Sequence, residues 1–383
     1  MSGGVDSSVA ALLLKKQGYD CAGVFIRSYN LDGCAARDAR DARLVAQKIG
    51  IPFYVWDFEK EYKKKVVDYM VRGYRRGITP NPDVMCNKEI KFGLFLEKAL
   101  KLGAEYIATG HYAKIAKSKS RIANRDNKKS FAIGYKLFAA RDASKDQSYF
   151  LWTLTRERLR HCLFPIGDYL KPEVRALARK AGLPTAEKKD SQGICFLGKV
   201  SLADFLKKRI RPKSGWVLNS AGKPVGIHDG SYFYTIGQRH GLNLGNKNKE
   251  LRIKGKTETE PYYVAEKDAK ANTITVAEGA DNPALYRKEI FLGNVNFTNQ
   301  NPPALIRANS RIDVFARVRY RQPLAEASIR RPRSRASSLR GRQESSIKLI
   351  FDKPQKFVAP GQSAVFYSKK GELLGGGVIL SCG

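Results

Sequence analysis

The chain has 383 residues, 43% of them apolar, which is enough for two or three domains with a packed core and excludes wholesale disorder. Seventy basic against 36 acidic residues leave a formal charge of +34, so a polyanionic partner is favoured over an acidic protein or a neutral metabolite. No apolar run reaches the roughly 18 residues of a membrane span, and six cysteines are too sparse for a disulfide framework, which fits a reducing compartment.

In chain order, Ser7 to Lys16 reads as a helix, with Val9, Leu12 and Leu13 on its apolar side, and Cys21 to Ile26 as a buried strand. Asp38 to Ile49 is helical, Phe53 to Trp56 strand-like, Glu61 to Arg72 a longer helix, Ile90 to Leu102 another, and Tyr106 to Thr109 a strand. This alternation predicts an α/β domain with a doubly wound, mostly parallel sheet whose ligand sits beyond the carboxyl ends of its strands. Lys114 to Lys136 is a basic hairpin or excursion, and Pro172 to Ala181 is a helix stopped at Gly182. A short helix around Leu202 to Lys208 and a strand at Tyr232 to Ile236 follow. Short strands at Tyr262–Ala265, Thr273–Ala277, Ile312–Arg319, Ser346–Phe351 and Ser363–Tyr367 then predict an all-β barrel or sandwich. The resulting division is a catalytic domain over 1–194, a small central domain over 195–255 and a β-barrel over 256–383. The arginine-rich run from Arg330 to Arg342 reads as a solvated loop, with phosphate-backbone contact as the alternative.

SGGVDSS, Ser2 to Ser8, is the sharpest local signal. Its glycines allow a tight turn and close approach of a phosphate, its serines offer hydroxyls, and the following helix presents free N–H groups and the positive end of its dipole. Asp6 would repel phosphate and makes sense as a Mg²⁺ holder or a loop-ordering group. The pattern is neither a Walker loop nor GxGxxG. Among the cysteines, Cys21, Cys34, Cys162 and Cys382 read as structural or incidental. Cys86 and Cys195 lie in polar, turn-rich settings where a reactive thiol is plausible, and no CxxC pair exists for a four-cysteine metal site.

SGGVDSS resembles the pyrophosphate loop of the ATP pyrophosphatases. TPNPDVMCNKEIKFG at 79–93, ATGHY at 108–112, KDQSYFL at 145–151, DSQGICF at 190–196, YTIGQRHGL at 234–242, RYRQP at 319–323, PGQSAVFY at 360–367 and LGGGVI at 374–379 resemble, in order and spacing, the tRNA-specific 2-thiouridylases. The resemblance spans nearly the whole chain. It implies ATP-dependent 2-thiolation of the wobble uridine of glutamate, glutamine and lysine tRNAs by a cytoplasmic monomer, with an organelle as the alternative compartment. It implies ATP and Mg²⁺ on Ser2, Gly3, Gly4, Val5, Asp6, Ser7, Ser8, Ile26 and Gly110. Cys195 would carry a persulfide received from a cysteine desulfurase or sulfur-relay protein, Cys86 would close a transient Cys86–Cys195 disulfide, and Asp83 would assist proton transfer. Asn81, Pro82 and Asp83 would meet the target base, while His111, Lys145, Asp146, Gln147, Tyr320, Arg321 and Gln362 would contact tRNA. From chemistry alone, His111 is equally a satisfied core residue.

The family's first central strand would precede Ser2, so the expectation is that this strand is missing and the phosphate loop loosened. Two alternatives follow: a catalytically impaired tRNA-binding homologue, or another pyrophosphate-loop adenylating enzyme that needs neither thiol.

Overall fold

The computed structural model describes residues 1–29, 31, 33–122, 130–190, 197–198, 200–244, 260–298, 311–330 and 347–382. Cys195 and the arginine run beyond Arg330 lie outside the described residues.

The N-terminal region alternates as the hydrophobic periodicity requires. Helix α1 (Val5–Lys16) is followed by β1 (Gly23–Arg27), α2 (Cys34–Ile49) and β2 (Phe53–Asp57). Helix α3 (59–75) comes next, then α4 (82–101) and β3 (Ile107–Ala108). Both α3 and α4 are single helical runs with a π-helical stretch inside, Lys63–Val67 and Cys86–Phe95 respectively. Gly93 belongs in the second stretch because a Cβ there would lie 2.8 Å from the Lys88 carbonyl oxygen. Such widened turns concentrate at functional positions, and this one begins at Cys86. The basic excursion is an antiparallel hairpin, β4 (Ala113–Ile122) with β5 (Ser130–Ala139). A short helix α5 (Arg156–Leu159), β6 (Cys162–Leu163) and α6 (Lys171–Lys180) complete the domain.

The parallel strands form two pairs, β1–β2 and β3–β6. The Met1 amino group donates to the Val24 carbonyl on β1. Helix α1 packs Val5, Val9, Leu12 and Leu13 against Val45 of α2, Val174 and Ala178 of α6, and Tyr112. Gly110, just past the carboxyl end of β3, meets the backbone of Asp6 and Ser7 at the amino end of α1.

After α7 (Leu202–Lys207) comes a four-stranded sheet of β7 (Gly215–Leu218), β8 (Pro224–His228), β9 (Tyr262–Asp268) and β10 (Thr273–Glu278), in the order β8-β7-β10-β9. Its parallel β7–β10 pairing joins residues on both sides of the change in sequence character at about 255. The strand expected over 232–236 is instead a 3₁₀ turn, Ser231–Phe233, followed by a loop. Gly230 and Gly237, both with positive φ, break extended pairing on either side.

Six antiparallel strands then close a barrel: β11 (Tyr286–Phe297), β12 (Arg311–Arg317), β13 (Ala325–Arg330), β14 (Ile347–Lys356), β15 (Ser363–Tyr367) and β16 (Leu373–Cys382). Its interior is apolar, with Ile290, Leu292, Val314, Ile329, Leu349, Phe351, Phe366 and Ile379 all buried. Strands β11, β13 and β16 are not among the strands expected from the sequence. In β16 the reason is its glycines: a Cβ on Gly376 would fall 2.7 Å from the Trp152 ring, and one on Gly375 2.1 Å from the Asn296 carbonyl oxygen.

Candidate active site

The SGGVDSS turn enters α1 at Gly4, which supplies no side-chain cap, so the first-turn N–H groups remain available to an anion. The hydroxyls of Ser7 and Ser8 donate to the Gly4 carbonyl at 3.1 and 2.9 Å, and the Ser2 N–H donates to Ser7 Oγ at 3.0 Å. The turn is therefore internally braced. Gly3 has φ +71°, and a Cβ on it would sit 2.3 Å from the Asp38 carbonyl oxygen. Gly110 presses on the turn from the other side, since its Cβ would lie 2.5 Å from the Ser7 nitrogen. A glycine-built cradle over an uncapped helix end suits a nucleotide phosphate chain, as the residue types had implied.

Asp6 does not point into free space. Its carboxylate accepts from Lys171 Nζ at 2.7 and 2.9 Å and from the Tyr112 hydroxyl at 3.0 Å. Lys171 also reaches Asp190 at 2.8 Å, and Asp190 takes further bonds from Lys145 at 2.9 Å and Arg175 at 3.0 Å. Burial opposes the charge on Asp190, yet the hydrogen bonds from Lys171 and Lys145 hold its carboxyl down to about 2. None of Lys171, Arg175 or Asp190 had been singled out from the sequence. Asp190 opens the DSQGICF motif, and Lys171 opens α6 just before Pro172, but neither position announces its partners: Asp6 lies far upstream of Lys171, and Asp190 gathers its three cations from separate segments.

The ATGHY segment joins the parts. Gly110 meets the phosphate turn, and Tyr112 bonds Asp6. The Tyr112 backbone exchanges hydrogen bonds with Gln147, whose side-chain oxygen accepts at 3.0 Å and whose N–H donates at 2.8 Å. The His111 ring is buried between Phe92 of α4 and Phe164, with Nδ1 2.7 Å from Thr109 Oγ1. Burial, and then the charge of Lys91, hold it well below the usual imidazole range, so it is neutral at physiological pH. Here the core-residue alternative describes the ring's position.

Cys86 is buried at the start of the π-helical stretch, in an apolar cluster with Tyr62, Val66, Met70 and Ile90, against which Ile26 also packs. Asn81 caps α4 by accepting from the Val84 N–H at 3.2 Å, and Pro82 takes the first helical position. Asp83 lies in that first turn. Burial raises its carboxyl above the ordinary range, while Lys91 pulls it back, which makes it a group able to hold a proton nearer neutrality. Cys162, by contrast, is pushed up to about 12 by burial and is inert as a thiolate source.

The barrel reaches into this region. Gln362 Nε2 donates to the Thr79 and Pro80 carbonyls at 2.9 and 3.2 Å, and the Thr79 N–H donates to the Pro360 carbonyl at 2.8 Å. From the central sheet, Lys267 donates to Thr79 Oγ1 at 3.4 Å. Asp146 is buried, with its carboxylate bound by Arg317 and by the Ser148 hydroxyl, so its side chain holds the segment in place. The Tyr320 ring packs tilted against Phe150, centroids 4.5 Å apart, and near Tyr149, a few residues after the 145–147 segment. Arg321 is exposed, adopts φ +64° and lays its guanidinium over the Tyr320 ring. A groove of about 600 Å³ between α2 and β1–β2 is lined by Phe25, Ala36, Ala39 and Val55, and not by the phosphate turn.

A glycine turn on an uncapped helix, at the ends of parallel strands and wired to a lysine–aspartate network, defines a nucleotide-binding α/β protein of the HUP class carrying two appended β domains. The domain family described as tRNA methyl transferase HUP domain matches residues 1–199. The tRNA methyl transferase PRC-barrel domain matches 203–278, and the aminomethyltransferase beta-barrel domain matches 287–379. The chain is 39% identical to the tRNA-specific 2-thiouridylase MnmA of Flavobacterium johnsoniae, covering 99% of this chain and 98% of that one. It is 43% identical to the protein of the same name from Bacillus licheniformis, over 99% and 93%. With that of Legionella pneumophila it shares 42% identity, over 99% and 96%. The chain belongs to the tRNA-specific 2-thiouridylase family.

Proposed function

We propose that this protein is an ATP-dependent tRNA-uridine 2-sulfurtransferase acting on the wobble uridine. One observation carries the reading: a single segment, 108–112, ties the phosphate turn, the helix bearing Cys86 and the 145–147 segment into one site. In this reading residues 1–194 are the catalytic domain, and the barrel holds the 79–83 segment and adds Tyr320 and Arg321 to the RNA face.

The uridine C2 oxygen is a poor leaving group. Its attack on the α-phosphate of ATP releases pyrophosphate and turns it into an adenylate, with Ser2–Ser8 and Gly110 cradling the phosphates, Ile26 on the adenine side and Asp6 the residue to hold Mg²⁺. Cys195 carries a persulfide delivered by a cysteine desulfurase or relay protein. The Cys86 thiolate attacks the inner sulfur, the Cys86–Cys195 disulfide forms, and the outer sulfur leaves as sulfide, which displaces AMP from C2. The two thiols are oxidised as the sulfane sulfur is reduced, and a thiol reductant restores them. Asp83 takes up or returns the proton beside the target base, next to Asn81 and Pro82. The base reaches a buried thiol by leaving its stack, which is least costly in an anticodon loop. Lys145, Arg321 and other cations meet phosphates of glutamate, glutamine and lysine tRNAs; His111, Asp146, Gln147 and Gln362 set the surfaces that touch the RNA. A cytoplasmic monomer fits this role, and none of the described helices is long and apolar enough to cross a membrane.

The test is mass spectrometry of wobble uridine after incubating unmodified tRNA with the protein, Mg²⁺-ATP and a persulfide source. The expected result is a gain of about 16 Da, one sulfur for one oxygen, lost in Cys86→Ser and Cys195→Ser by at least roughly a thousandfold while tRNA binding persists. Thiolation surviving both substitutions would sink the sulfur-carrier reading. No thiolation by the wild type, with tRNA still bound, would leave an RNA-binding homologue.

A further inference from the structure

The Lys171 ammonium is a charge with no role yet in the chemistry. Its side chain is only 10% exposed and enters the phosphate turn from α6, across the chain from α1. It bridges two carboxylates, Asp6 at 2.7 Å and Asp190 at 2.8 Å, and lies 5.8 Å from the centre of the Tyr112 ring. Its own backbone N–H is held by Asp142 at 2.9 Å, which fixes the root of the side chain. Asp190 has other cations to fall back on, Lys145 and Arg175. Asp6 has only Lys171 as a charged partner among the contacts of the described residues.

Counting this cluster, three cations face two carboxylates beside the amino end of α1. An anion cradle normally avoids a carboxylate, because it repels phosphate. Here the Asp6 charge is neutralised by a lysine that can be released. We propose that Lys171 is a phosphate-binding residue of the ATP site, exchanged between two partners. When magnesium nucleotide enters, Asp6 turns to the metal, and the Lys171 ammonium moves to phosphate oxygens that become pyrophosphate. Asp190, still held by Lys145 and Arg175, tolerates the loss of one bond. The exchange keeps every buried charge paired in both states, which spares the cost of a bare carboxylate or a bare ammonium. The inference rests on the ATP reading of the turn and deepens it by naming the cation that receives the leaving pyrophosphate.

Calorimetric titration of the full chain with inorganic pyrophosphate plus Mg²⁺, and separately with adenosine, tests it. Lys171→Gln is expected to weaken pyrophosphate binding about 10- to 100-fold, the worth of a charge-assisted hydrogen bond, with adenosine binding unchanged. Lys171→Arg, which keeps charge and donors, is expected to stay within about threefold of wild type. Unchanged pyrophosphate affinity in Lys171→Gln would overturn the proposal. So would parallel losses of both affinities with a lower melting temperature, which mark a purely structural lysine. A wild-type protein that binds neither pyrophosphate nor adenosine would remove the ATP reading itself, a different failure from either of these.

Discussion

In the barrel every strand has a neighbour on each side, and the ring closes from β16 back to β11, so few backbone groups are left at an edge. In the α/β domain, β1 and β2 pair with each other, and Tyr54 and Val55 of β2 are 54% and 38% exposed. The barrel's apolar interior is filled by its own side chains. The α/β domain instead shares its largest cluster with the barrel, since Tyr149, Leu151 and Trp152 pack with Val365, Tyr367 and Leu373. One region is closed on itself, and the other is completed by contact. A site that must admit a large RNA and move sulfur benefits from the second arrangement, because segments with fewer self-contained contacts open at lower free energy.

The sharpest way to break that comparison is Arg317→Met. Arg317 leaves the barrel to bind Asp146 and donates to the Tyr367 hydroxyl at 2.8 Å. Removing it strands a buried carboxylate, with an expected cost of roughly 3–5 kcal/mol. Hydrogen exchange should show amides of 140–152 losing protection before those of β14 and β15; the reverse order would mean the barrel is the dependent partner. Gly376→Ala acts at the same seam from the barrel side. Its new Cβ meets the Trp152 ring, for an expected loss of about 1–3 kcal/mol and a shift in tryptophan emission. An unperturbed emission spectrum would show that the seam yields freely.

Asn81→Ala removes the cap of the helix that carries Cys86 and should cost about 1 kcal/mol by urea denaturation. If the barrel's grip on Thr79 and Pro80 holds that helix start alone, no change in stability will be seen. A further effect is one of pH. Burial lowers the Lys267 ammonium to about 8, below its ordinary 10.5. Between those values the folded state binds fewer protons than the unfolded one, so this group's destabilising contribution is full below pH 8 and is relieved as pH rises. Wild type should therefore gain stability relative to Lys267→Met between pH 8 and 10, and parallel pH curves for the two would count against a buried ammonium.

The helices of the α/β domain were legible because apolar residues recur at helical spacing and glycine or proline mark their ends, as at Pro172 and Gly182. The glycine turn was legible as an anion cradle because its chemistry is local. Several strands were not. Those of β16 carry glycines where Trp152 and Asn296 crowd them, and the stretch at 232–236 has strand-like residues that flanking glycines turn aside. His111 shows the limit at single residues: histidine, glycine and tyrosine at a strand end fit a contact with ligand equally well as a core, and only the rings of Phe92 and Phe164 place it inside.

The sequence by itself determined the order of the motifs, the passage from α/β to β and the surplus of positive charge. These depend on residue type, spacing and short-range periodicity. Its turn-rich reading of Cys86 gives way to a buried helical position among Tyr62, Val66, Met70 and Ile90. Tertiary structure alone decided that Lys171, 165 residues from Asp6, is its charge partner, and that Gln362 holds the backbone 282 and 283 residues before it. It also decided that Asp146 faces Arg317 rather than solvent. Ion pairs and buried hydrogen bonds are set by distance in space and by the exclusion of water, and neither is encoded at any one position of the chain.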